Sequence, residues 1–125
     1  MTDIQSLVRG VYKAYETKDR AAIEALLADD FHFTSPLDNR LDRATYFKVC
    51  WPNSESVQRF DLVNLAVDGD KAFVTYEARW THKGSRSFRN TEVFTVRNGK
   101  VVEVEVYFGW SIPHEAPAGT HIDPK

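Results

Sequence analysis

The chain has 125 residues, 42% of them hydrophobic and 13% aromatic, which suits one domain closed on its own core and argues against a disordered chain. Its 16 basic and 18 acidic side chains leave a formal charge of -2 and are scattered along the chain, so no nucleic-acid partner is implied. Cys50 is the only cysteine, which excludes an internal disulfide and a cysteine-built zinc site.

The opening MTDIQSLVRG lacks the basic-then-apolar pattern of a secretory leader. No apolar run nears the roughly 20 residues of a membrane span. A cytoplasmic protein with no membrane partner is therefore expected. Ile4, Leu7, Val8, Val11, Tyr12 and Tyr15 recur at three- and four-residue spacing and predict a first helix, with Thr2 and Gln5 in capping-box form. Asp19 then caps a second, short helix that buries Ala22, Ile23, Leu26 and Leu27. That helix is expected to stop at Asp29–Asp30, because acidic residues are unfavourable at the negative end of the macrodipole. Residues 31–34 read as a short strand ended by Ser35-Pro36, and 37–41 as a polar loop. Asp42 caps a third helix carrying Tyr46, Phe47, Val49, Cys50 and Trp51. Pro52 ends it, and 53–56 form a loop.

From Val57 onward the period changes from helical to alternating. Asp68-Gly69-Asp70, Lys83-Gly84 and Asn98-Gly99 are turn signals, and Asn-Gly between β-rich runs is a strong hairpin signature. They divide the rest into strands at about 57–67, 71–82, 86–97 and 100–110, followed by a Pro-rich irregular tail from about 111. Helices first and a meander second make one α+β domain over 1–125: a cone-shaped, curved mixed β-sheet with three N-terminal helices on its concave face.

This order of elements, with "YETKDRAAIEALLADDFHFTSP" opening it and "TEVFTVRNGKVVEVEVYF" closing it, resembles the nuclear transport factor two-like superfamily in its SnoaL-like and ketosteroid isomerase-like branch. The resemblance implies the cystatin-like roll of that superfamily, covers about residues 3–110, and is weaker for activity than for fold. In ketosteroid isomerases an Asp base works with an oxyanion hole of Tyr and protonated Asp. The base position falls on Ser35, before Pro36, the tyrosine position on Val11, and the oxyanion acid near Glu92. The resemblance therefore argues against steroid isomerase activity. In the limonene epoxide hydrolase branch the last-strand aspartate matches Val106, and the Arg–Asp pair aligns with Glu77 and Arg79 in reversed order, so that triad is absent too.

Glu92 and Asp38 remain as candidate catalytic acids. Glu92 shares a face with Asn90 and Phe94, so burial would raise its pKa. It reads either as a general acid or hydrogen-bond donor, or as a structural carboxylate paired with Arg79 or Arg89. Asp38 reads either as a base over the pocket mouth or as a solvated loop residue. Glu77 and Arg79 share a face and read either as a pair that polarises a ligand carbonyl or as part of a cross-strand charge ladder. Tyr12, Tyr15, Phe33, Ser35, Trp51, Trp80, Val106, Phe108 and Trp110 are the candidate ligand-binding residues. In the last strand Val102, Val104, Val106, Phe108 and Trp110 share the inner face, and Glu103, Glu105 and Tyr107 the outer one. His32, His82, His114 and His121 lack ligand spacing, so neither a metal nor a cofactor is expected. Cys50 reads as a buried inert thiol.

Two functions stand close together. One is a cofactor-free, SnoaL-like isomerase or cyclase, or a hydrolase, acting by proton transfer on a small apolar carbonyl compound. The other is a non-catalytic module that binds a small apolar ligand. A third reading is an assembly domain that uses the open face of the sheet. A homodimer through that outer face is expected from the habit of the resembled family.

Overall fold

The computed structural model describes residues 3–81 and 86–112. Helix α1 (Ile4–Thr17) buries Leu7, Val8, Val11, Tyr12 and Ala14 along one face. Its N-cap is Asp3, with no side-chain cap, while Thr2 lies outside the described residues. Lys18 closes the helix in the left-handed conformation at φ 57°, its N–H serving the free carbonyls of Ala14 and Tyr15. Helix α2 (Arg20–Leu26) is capped by Asp19, whose carboxylate accepts from the Ala22 N–H at 3.1 Å.

The strand that follows is longer than the sequence suggests. β1 (Leu27–Ser35) starts directly after α2, so Leu27 is a buried strand residue, and Asp29 and Asp30 lie in the strand rather than at a helix end. The reason is tertiary: β1 runs parallel to the last strand from Leu27 onward, a pairing partner about 70 residues away that no local pattern reveals. The expected loop at 37–41 is likewise a strand, β2 (Asp38–Asp42), folded back on β1 through the turn at Pro36 and Leu37. Helix α3 (Arg43–Val49) is capped by Asp42, which accepts from the Thr45 N–H at 2.8 Å. The expected 53–56 loop belongs to a 3-10 helix, η1 (Trp51–Ser56), with Pro52 in its first turn. Proline there does more than end α3, since its fixed φ and missing N–H suit a helix start.

The meander is β3 (Val57–Asp68), β4 (Lys71–Trp80), β5 (Arg86–Arg97) and β6 (Lys100–Ile112). Asn98 (φ 54°) and Gly99 (φ 75°) make the tight β5–β6 turn in the positive-φ conformation that this pair tolerates. The Lys83-Gly84 turn and His82 lie outside the described residues, as does everything from 113 on. Only the first two residues of the expected tail are described, and both belong to β6. The sheet order is β2-β1-β6-β5-β4-β3, antiparallel except between β1 and β6. Register shifts in four of the five pairings bend it into the open, curved sheet. α1 packs on β3 and β4, and α3 on β1 and β2, so the core lies between helices and the concave face. Glu16, off the apolar stripe of α1, accepts from the Phe60 N–H at 2.7 Å and ties α1 to β3. No helix among the described residues is long and apolar enough to cross a membrane.

Candidate functional site

A cavity of about 620 Å³ opens between α1, α3 and the concave sheet face. Strand parity decides what reaches it. β5 sends Phe88, Asn90, Glu92 and Phe94 inward, paired across β4 with Ala78, Tyr76, Val74 and Ala72, and the last three of them across β6 with Phe108, Val106 and Val104. The same rule turns Glu103, Glu105 and Tyr107 away, so β6 contributes no carboxylate to the cavity.

Glu92 is the polar centre. The Tyr12 hydroxyl donates to its Oε1 at 2.8 Å and the Tyr76 hydroxyl to its Oε2 at 2.9 Å. Asn90 Nδ2 in turn donates to the Tyr76 oxygen at 3.1 Å. The side chain keeps some accessibility, but what it meets is the cavity. Burial raises its pKa above the ordinary carboxylate value, and the two tyrosine hydrogen bonds oppose that rise. Tyr12 and Tyr76 are pushed well above the usual phenol value, first by burial and then by the Glu92 charge, so both stay protonated donors.

Neither arginine is its partner. Arg79 and Arg89 lie on the outer face, where Arg89 pairs with Glu77 directly across β4 and β5 in a short hydrogen bond. The pairing of Glu92 with Arg79 or Arg89 is thus replaced by a tyrosine cradle, because strand parity separates them, while Glu77 joins the cross-strand ladder expected of it. Tyr12, out of register with the family position at Val11, is the α1 residue that reaches Glu92, and Val11 lines the cavity beside it.

Tyr15, Phe33, Ser35, Asp38, Trp80, Val106 and Phe108 all line the cavity. Phe108 is 53% exposed and Leu37 82%, which places both at the mouth. Ser35 donates to Asp38 at 2.8 Å and accepts from the Leu37 N–H at 3.0 Å, so the Ser35–Asp38 pair braces the β1–β2 turn on the rim. Trp51 does not line the cavity. It is buried behind Tyr15, with ring centroids 4.8 Å apart, because η1 turns it into the core. The side chain of Trp110 lies outside the described residues. Cys50 is half-buried and on the cavity wall rather than sealed in the core, and burial pushes its thiol up to about 12. It is a poor nucleophile there.

Sequence patterning did not single out Tyr46, Tyr76 and Phe60 as cavity residues. Tyr76 is legible by parity, since it alternates with Val74 and Ala78 on β4, whereas Tyr46 has the spacing of ordinary helix core. Tyr46 and Tyr15 share a short hydroxyl–hydroxyl hydrogen bond inside the cavity. No group of three or more potential metal ligands occurs among the described residues.

No curated protein matches the chain in sequence. Solved structures match its fold. An NTF2-like protein of unknown function from Cytophaga hutchinsonii is 17% identical at TM-score 0.71, over 87% of this chain and 92% of that one. A protein with a cystatin-like fold from Xanthomonas campestris is 16% identical at TM-score 0.73, over 89% and 92%. An LEH-like epoxide hydrolase of M. tuberculosis is 18% identical at TM-score 0.71, over 83% and 80%. At these identities the likeness is one of fold. The three helices and curved six-stranded sheet are the nuclear transport factor two-like roll, and with the SnoaL-like domain pattern matched over residues 8–104, the chain belongs to the SnoaL-like family.

Proposed function

We propose that this protein binds a small apolar carbonyl compound in the cavity and moves a proton on it with Glu92, as a cofactor-free isomerase or cyclase does. The observation that carries this is a carboxyl group of raised pKa, with no cationic partner among the described residues, held by two tyrosine hydroxyls in a largely aromatic and aliphatic cavity of ligand size. A catalytic acid–base group works best with its pKa near the working pH, and burial moves Glu92 in that direction. The balanced step is an enolisation. The ionised carboxylate takes a proton from carbon next to a carbonyl, and the C–H electron pair becomes the C=C bond of an enolate. The proton then returns to another carbon of the conjugated system, with no oxidant consumed. Asp38 sits on the rim, engaged by Ser35, and leaves this role to Glu92.

The second reading, binding without turnover, is favoured by one feature: tyrosine donors already engage both carboxylate oxygens, as in a structural carboxylate. A filled cavity would favour the assembly reading, and here the cavity is open. α-Proton exchange of 2-tetralone in D2O, followed by NMR, separates the first two. Turnover predicts exchange faster than in buffer and slower by about 10²–10⁴ in Glu92→Gln. Equal rates in the two proteins would leave only the binding module.

A further inference from the structure

The cavity holds a second polar centre. Tyr15 comes from α1 and Tyr46 from α3, and their hydroxyls bond to each other. Each phenol carries one O–H donor, and their mutual bond uses only one of the two. Among the described residues neither hydroxyl has any other hydrogen-bond partner. The second donor is therefore unspent, in a place where an unmet donor is costly. Aromatic rings pack around the pair, Trp51 and Phe60 on Tyr15 and Phe31, Phe33 and Phe47 on Tyr46, while the Cys50 thiol and the Glu92 carboxyl act on both phenols without a hydrogen bond to either. Both tyrosines line the cavity, so the missing acceptor must come from what fills it. Burial, the main cause, holds both phenols above their ordinary pKa, and they remain donors throughout the neutral range.

The centre around Glu92 is opposite in character. There the tyrosine donors are spent on the carboxylate, which asks a ligand for a proton rather than for a lone pair. The two centres share one wall. The Phe60 ring lies 5.0 and 5.1 Å from Tyr12 and Tyr76 and 6.2 Å from Tyr15. The cavity thus has a donor centre and an acceptor centre, both beside the Phe60 ring.

We propose that the Tyr15–Tyr46 hydroxyl pair is the anchor for the carbonyl oxygen of a flat apolar ketone whose acidic C–H faces Glu92. This rests on the reading of the cavity as a ketone site and gives its two centres separate roles. As the proton passes to Glu92, the negative charge moves to the ketone oxygen, and the free tyrosine O–H meets it there.

The test compares 2-tetralone with tetralin, the same skeleton without the oxygen, by calorimetric titration. One neutral hydrogen bond in a dry site corresponds to a preference for the ketone of about tenfold. The wild type is expected to show that preference, Glu92→Gln to keep it, and the Tyr15→Phe/Tyr46→Phe double variant to lose it. Because the readout is a ratio of two ligands on the same protein, a loss of folded fraction cancels. The single Tyr46→Phe variant covers a double variant that fails to fold: it leaves the Tyr15 hydroxyl free to donate and should keep most of the preference. A preference that survives the double substitution overturns the proposal. So does one abolished by Glu92→Gln alone, which would put the oxygen at Glu92; the exchange experiment above then decides the proton-transfer reading separately. A wild type that binds both probes equally also overturns it, and one that binds neither overturns the ketone site altogether.

Discussion

Glu77 and Glu92 lie on neighbouring strands of the same sheet and differ chiefly in which way the pleat points them. Glu77 faces out and pairs with Arg89 directly opposite, and both side chains keep a third or more of their exposure. Glu92 faces in and is held by two phenols instead of a cation. The outer face continues in the same style, with Thr75 bonded to Thr91 at 2.9 Å and Lys71 to Thr95 at 2.8 Å. Water can replace the Glu77–Arg89 contact, where both side chains are partly exposed. On the inner face it cannot, so the same residue type becomes a high-stakes group whose partners must be supplied by the fold.

The sharpest contrast should come from truncating a phenylalanine on each face. Phe94 is fully buried and Phe73 39% exposed. Phe94→Ala is expected to cost about 3–5 kcal/mol in urea unfolding, and Phe73→Ala well under half of that. Similar losses at the two sites would break the assignment of faces.

Next comes the seam where the two faces exchange. At Gly109 an added Cβ would stand 2.4 Å from the Arg89 carbonyl oxygen, at the register shift between Phe88 and Asn90. Backbone cannot yield as a flexible side chain does, so Gly109→Ala is expected to cost about 1–3 kcal/mol. It should also weaken ligand binding, because Gly109 and Phe108 both line the cavity. Full stability in that variant would mean that the seam is looser than the geometry shows.

A third effect lies in pH. The folded-state pKa of Glu92 is raised above the ordinary value of 4.5, with burial the main cause. In the window between the two, the native state holds the proton that the unfolded chain has released. Stability from this group is then fully present below pH 4.5 and falls as pH rises through the folded pKa. Glu92→Gln keeps the shape and removes the titration, so the difference in unfolding free energy between the proteins should shift in favour of the variant as pH rises. A flat difference from about pH 4 to 8 would mean that Tyr12 and Tyr76 cancel the burial cost.

The smallest effect belongs to the outer pair. A double-mutant cycle on Glu77 and Arg89 should return a coupling of about 0.2–1 kcal/mol that shrinks with added salt. A larger, salt-insensitive coupling would show that this face is covered in solution.

Much of the fold is legible in the residues alone. Helical spacing of Leu7, Val8 and Val11, the caps at Asp19 and Asp42, and the turn at Asn98-Gly99 are local signals, and local physics sets helix starts, turns and strand parity. Parity by itself is enough to place Glu92, Asn90 and Phe94 on one face. What the tertiary structure decided was everything that depends on partners far apart in the chain. The parallel pairing of β1 with β6 turned Leu27 and the Asp29–Asp30 pair into strand, and the return on β1 did the same for Asp38 to Asp42. The cradle of Glu92 joins residues 80 and 16 positions away, and the Tyr15–Tyr46 pair spans 31. Sequence periodicity says which way a side chain points. Only the packing of α1 and α3 over the curved sheet says what it meets there.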